Sequence, residues 1–307
     1  MKNILSTLIL FFAIVCQVNA QTKKGFDLSG ATIPIVEIKD GGPPRDGIPS
    51  IDAPKFLSVS QAGIAEQDRI LGVYHNGIAK AYPINILNFH EIVNDFFEGH
   101  PVVVTYCPLC GSGIAFDAEI NGERKTFGVS GLLYNSDVLL YDRETESLWS
   151  QLKKESVSGE MKGRSLVKIA TANTTWGKWK ENHPETLILS EETGFGRDYS
   201  RNPYPGYAQS AKIYFEVAEM DDSYHPKEMV VGLEINGMHK AYPFSELAKS
   251  DEPEIEDVFQ DQKLSIRFDE DSQSAEIRDD EGNIIPTVMN FWFAWYAFYP
   301  ETDVFKF

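Results

Sequence analysis

Ile70-Leu71-Gly72-Val73-Tyr74-His75-Asn76-Gly77-Ile78-Ala79-Lys80-Ala81-Tyr82-Pro83 and, 160 residues later, Val230-Val231-Gly232-Leu233-Glu234-Ile235-Asn236-Gly237-Met238-His239-Lys240-Ala241-Tyr242-Pro243 carry one pattern written twice. With Leu87 and Leu247 added, eight positions are identical without a gap, and Ile70, Leu71 and Val73 match Val230, Val231 and Leu233 in type. The Asn-Gly dipeptide supplies positive φ at both centres of a type I′ turn, so each copy reads as a β-hairpin. Pro83 then opens a helix whose apolar face is Ile86, Phe89, Val93 and Phe96, with Gly99 as its stop. A strand follows in each copy, Val102 to Tyr106 and Leu264 to Phe268, and a glycine turn follows each strand, at Gly122 and Gly282. The expectation is an α+β, β-rich fold of two related lobes of hairpins and short helices produced by internal duplication. The first lobe covers 48–219 and includes a connecting segment, and the second covers 220–307.

Outward from the repeats, residues 21–47 hold Gly41-Gly42-Pro43-Pro44 and Asp46-Gly47, too dense a punctuation for any periodicity, and read as an extended N-terminal arm. Ser136 to Asp142 and Ser147 to Gln151 read as paired strands around the turn Arg143 to Glu146. Thr174 to His183 reads as a short capped helix closed by Pro184. Phe291 to Tyr299 holds seven aromatics in nine residues, a density that points to core packing or a seam between lobes, with a stacking or partner surface as the alternative.

The first twenty residues have the three parts of a secretory signal: Lys2, an apolar run from Ile4 to Val15, and the small-residue exit Val18-Asn19-Ala20. The expected mature chain begins at Gln21 and is periplasmic or extracellular. The apolar run is shorter than the about 20 residues that span a bilayer, and no comparable run follows, so no transmembrane segment is expected in the mature chain. Cys16 would permit lipidation, but Val15 stands where a small residue is expected, and simple cleavage is the better reading. The full chain carries a net charge of −18, and loss of Lys2 leaves 27 basic and 46 acidic residues. Such a surface lacks the cations that displace counterions from a phosphate backbone, which excludes nucleic acid as a partner class.

Cys107-Pro108-Leu109-Cys110-Gly111 is the sharpest local motif. Two thiolates three positions apart converge on one ion, Pro108 stiffens the turn, and Gly111 supplies the left-handed residue that turns backbone N–H groups toward sulfur. The chain has no second cysteine pair for a closed zinc ribbon, so zinc or copper would need a further ligand. His90, on the stripe Ile86, His90, Val93, Phe97, is the candidate, with the plain alternative of a hydrogen-bonded core histidine. Glu91 beside it reads as a surface charge more readily than as an outer acceptor. The competing chemistry is thiol-disulfide exchange at the same CxxC. Gly111 and Gly113 stand where a thioredoxin-like helix would run, which ranks that reading second. A pair of inert cysteines is the bland alternative. The second copy has Arg267 to Ser272 in place of the CxxC, which favours a functional over a folding role for the cysteines. A polar cleft at Ser130, Asn135, Asp137 and Arg143 is a weaker candidate, against a glycine-rich turn with capping side chains. A non-catalytic binding module using the aromatic C-terminal region is the third functional reading.

The runs Thr105 to Gly111, Phe127 to Gly131, Asn135-Ser136-Asp137 and Tyr141 to Trp149 closely resemble the bacterial and archaeal family called domain of unknown function 3179, and the likeness extends from about Ile48 to the C-terminus. The resemblance implies a family and no particular activity, ligand set or partner.

Overall fold

Asn76 and Gly77 take φ of 48° and 77°, and Asn236 and Gly237 take 53° and 75°, as a type I′ turn requires. Each turn closes an antiparallel hairpin, Arg69–His75 with Ile78–Pro83 and Met229–Ile235 with Met238–Pro243. In the computed structural model, which describes residues 21–307, each hairpin is the centre of a wider sheet. Thr171–Thr175 pairs antiparallel with the first strand of the leading hairpin, Leu187–Leu189 runs parallel to the second, and Phe56–Ser58 lies beyond it. In the other sheet Val288–Phe291 and Asp303–Val304 take the corresponding places. The expected leader, and Cys16 within it, lie outside the described residues.

Four short helices connect these strands: α1 (Ile84–His90), α2 (Trp176–Asn182), α3 (Phe244–Leu247) and α4 (Trp292–Phe298). The Thr175 side chain caps α2 by accepting from the Lys178 N–H, and His183 and Pro184 end it. The indole of Trp179 on α2 lies on Gly72 and that of Trp295 on α4 lies on Gly232, where any Cβ would overlap the ring. Both buried indole N–H groups are satisfied, by Thr186 Oγ1 at 2.8 Å and Thr302 Oγ1 at 2.9 Å. Glycine is therefore required at these two positions by close approach, not by dihedral angle.

Two local expectations fail in instructive ways. The helix expected from Pro83 to Gly99 ends at His90, because Glu91 adopts a left-handed φ of 58°. Ile92–Phe97 is instead a strand, paired with His100–Cys107. It is buried on both faces, so its apolar positions fit either period. The arm at 21–47 is also more than extended chain: Phe26, Leu28 and Ile38 are buried, and Ile38–Asp40 adds a strand beside Phe127–Tyr134.

The α+β, two-lobe expectation is overturned. The described residues are 41% strand and 11% helix, in a five-blade β-propeller-like arrangement. Besides the two sheets above, the main sheets are Lys168–Ile169, Ser112–Asp117, His100–Cys107 and Ile92–Phe97; Ile255–Phe259, Gln262–Asp269 and Ser274–Arg278; and Glu155–Ser158, Leu148–Ser150, Asp137–Asp142, Phe127–Tyr134 and Ile38–Asp40. The core ignores the expected boundary at 219/220, since one cluster joins Cys107, Cys110, Trp149 and Leu152 to Val288, Phe291 and Phe293. Within it, the Phe291 N–H donates to the Cys110 carbonyl at 2.8 Å. Much of the C-terminal aromatic run is core, with Trp292, Phe293 and Trp295 each at most 2% exposed.

Candidate metal centre

The CxxC turn sits between two long antiparallel strands. His100–Cys107 and Ser112–Asp117 pair down to Cys107 opposite Ser112, and Gly111, at φ 64°, closes the turn between them. β-branched Val102, Val103, Val104 and Thr105 hold the first strand in the core, so both cysteines are carried inward. Cys107 and Cys110 are buried free thiols.

The third member of the cluster comes from another sheet. Asn135 and Ser136 both take positive φ, 50° and 65°, and turn the chain so that Asp137 begins its strand facing the cysteines. The ligand atoms of Cys107, Cys110 and Asp137 all lie within 4.8 Å of one another, and all three residues are buried. The Cys107 thiol donates to the Ser136 carbonyl at 3.7 Å. One carboxylate oxygen of Asp137 accepts from the Leu152 N–H at 3.0 Å, while the other has no hydrogen-bond partner. The hydroxyls of Ser136 and Tyr207 are likewise buried without partners.

Burial dominates the electrostatics. It pushes the Asp137 carboxyl up to about 7, although its backbone hydrogen bonds pull the other way. It drives both thiols upward, Cys110 strongly, with Cys107 and Asp137 adding to the rise at Cys110. Glu91 is pushed up to about 8, by burial first and then by the charge of Asp137. Four acidic groups thus share a dry region in which burial disfavours the charged form of each, while the two thiols, by hydrogen bonding, pull the Asp137 carboxyl back down.

A segment without helix or strand, 190–228, closes over the cysteine core. Tyr204, Tyr207, Ile213, Phe215 and Val217 pack against it. At its end Lys227, only 6% exposed, donates to the carbonyls of Ser210 and Lys212 and places its ammonium 3.7 Å over the Tyr207 ring. Burial brings this amine down to about 8.

His90 does not join the cluster. Its Nδ1–H donates to the Pro49 carbonyl at 2.8 Å, and its Nε2 accepts from the Tyr199 hydroxyl at 2.6 Å. Burial lowers its pKa, so it is a neutral, fully bonded core histidine, with no lone pair left for a metal. The four-residue polar cleft does not form either. Ser130 donates to the Leu139 carbonyl and accepts from the Leu132 N–H, supporting a bulge. Asn135 ties Ala218 to Ala297. Arg143 is engaged by Asp52 at 2.6 Å and by Ser50. Asp137 alone reaches the cysteines. Glu91, read as a surface charge, is buried. Tyr207 and Lys227 had no signal in the sequence beyond their residue types.

The chain matches, over residues 45–302, the family described as Protein of unknown function (DUF3179). The chain belongs to this family. No curated protein and no solved structure matches it. Among the described residues, no helix is long and apolar enough to cross a membrane.

Proposed function

We propose that this protein is exported and binds a divalent metal, zinc, through Cys107, Cys110 and Asp137. The observation that carries the reading is the convergence of two thiols and a carboxyl within 4.8 Å, fully buried, with one carboxylate oxygen unpartnered. Buried polar groups without partners are costly, and a cation that displaces the acidic protons removes the cost at one stroke. The donor set discriminates among metals. Zinc accepts thiolate and carboxylate together, whereas copper(I) favours sulfur donors alone.

Thiol-disulfide exchange is less well supported. A reactive thiol is exposed and of low pKa, and here both thiols are buried and raised. The test is elemental analysis of protein recovered from the cell envelope without chelators, with its intact mass measured on the same preparation. The expected result is about one zinc per chain in a chain that begins at Gln21, and loss of zinc with a retained fold in Cys107→Ser with Cys110→Ser. Metal-free wild type with a reducible disulfide would replace this reading by the redox one.

A further inference from the structure

Three protein ligands leave one position of a tetrahedral zinc for an outside molecule, and the buried residue Glu91 is held by its backbone against Tyr106, next to Cys107. Helix α1 ends on Glu91, which adopts φ 58° although it has a side chain; for a glutamate that conformation is unfavourable and is maintained by its surroundings. The Tyr106 N–H donates to the Glu91 carbonyl at 2.7 Å, and the next residue, Ile92, pairs with Thr105. The backbone therefore fixes Glu91 against the end of the strand that delivers Cys107. Its side chain is 7% exposed, and among the described residues it makes no ion pair. Burial and the neighbouring Asp137 are the influences that raise its pKa. It is not one of the three groups whose ligand atoms converge within 4.8 Å, so it lies outside direct ligation in this arrangement.

We propose that Glu91 is the hydrogen-bond acceptor for a water held in the fourth coordination position of the metal. The inference rests on the metal reading above and deepens it. The centre becomes an open one that takes a neutral, hydrogen-bond-donating ligand, as in metal-activated water, rather than a closed structural knot. A partner acting on the coordination sphere from outside typically changes metal affinity 10- to 100-fold, and removing it alters the coordination geometry that a cobalt(II) spectrum reports.

The experiment is cobalt(II) titration of wild type and Glu91→Gln in the presence of a competing chelator, followed by visible absorption. Wild type is expected to take up one cobalt. Glu91→Gln is expected to bind with the same stoichiometry, about tenfold more weakly, and with a changed visible band. The metal-free variant should unfold at or above the wild-type temperature, because a neutral amide replaces a carboxyl whose charged form burial disfavours; a purely structural role for Glu91 would lower it. Equal affinity with an identical spectrum overturns the assignment. Complete loss of cobalt would make Glu91 a direct ligand and overturn the water-acceptor role. A wild type that binds no cobalt defeats the metal reading itself, and this inference with it.

Discussion

The turn Pro108-Leu109-Cys110-Gly111 and the turn Glu270-Asp271-Ser272-Gln273 do the same mechanical job in different chemical surroundings. The first closes between Cys107 and Ser112, the second between Asp269 and Ser274. Both end on a left-handed residue, Gly111 at φ 64° and Gln273 at φ 44°. The strands before them follow the two copies of the hairpin. Each copy also anchors its lysine in the same way: Lys80 pairs with Asp95 at 2.8 Å, and Lys240 pairs with Asp257 at 2.6 Å. Tyr82 and Tyr242 donate to the same aspartates. Yet Glu270, Asp271 and Gln273 face solvent, while every residue of the cysteine turn is buried. A turn of this length and shape forms without cysteine, proline or glycine. The thiols, Asp137 and Glu91 are therefore additions to one region that folding of the ladder does not demand.

If the two regions share one framework, breaking the shared ion pair should cost about the same in each. Asp95→Ala is expected to lose about 3 to 5 kcal/mol in denaturant unfolding, since it strands the buried Lys80 ammonium, and Asp257→Ala is expected to lose a comparable amount at the partly buried Lys240. The Asp257 value should lie at the lower end, because that pair is the more exposed. A large loss at one site and none at the other would break the comparison.

A smaller effect sharpens it, through pH. In metal-free protein Asp137 and Glu91 have folded pKa values of about 7 and about 8, above the ordinary carboxyl range. Between that range and these values the folded state holds more protons than the unfolded one, so stability falls as pH rises. The contribution is fully present below the unfolded carboxyl pKa and lost as pH passes through about 7 to 8. Thermal unfolding in chelator should therefore show a melting temperature that declines from about pH 5.5 to about pH 8.5, and Asp137→Asn with Glu91→Gln should flatten that decline. Metal binding should run the other way and tighten with pH, because the ligands must lose protons. A pH-independent melting temperature in the wild type would remove the buried acidic cluster from the account.

Much of the local structure was legible in the sequence. Asn-Gly fixed both hairpins, the stretch Thr174 to His183 closed by Pro184 marked α2, and the cysteine motif marked the candidate site. The rest failed for identifiable physical reasons. Ile92–Phe97 is buried on both faces, which erases the alternation that distinguishes a strand from a helix. No glycine announces the left-handed end of α1, because Glu91 occupies it. That single misreading turned His90 toward the wrong place and made Glu91 a surface charge. Asp137 was noticed as a polar residue, but its meeting with Cys107 depends on how two sheets pack, and no local pattern encodes that. The two-lobe expectation took two hairpins for two bodies, when they belong to two of the five sheets of three or more strands among the described residues.

The most direct test of the central claim is anomalous X-ray scattering at the zinc edge from crystals of protein purified without chelators. The account predicts one strong peak about 2.3 Å from both Cys107 Sγ and Cys110 Sγ and about 2.0 to 2.2 Å from an Asp137 carboxylate oxygen. No peak there, with the two sulfurs joined at about 2.05 Å, would contradict it.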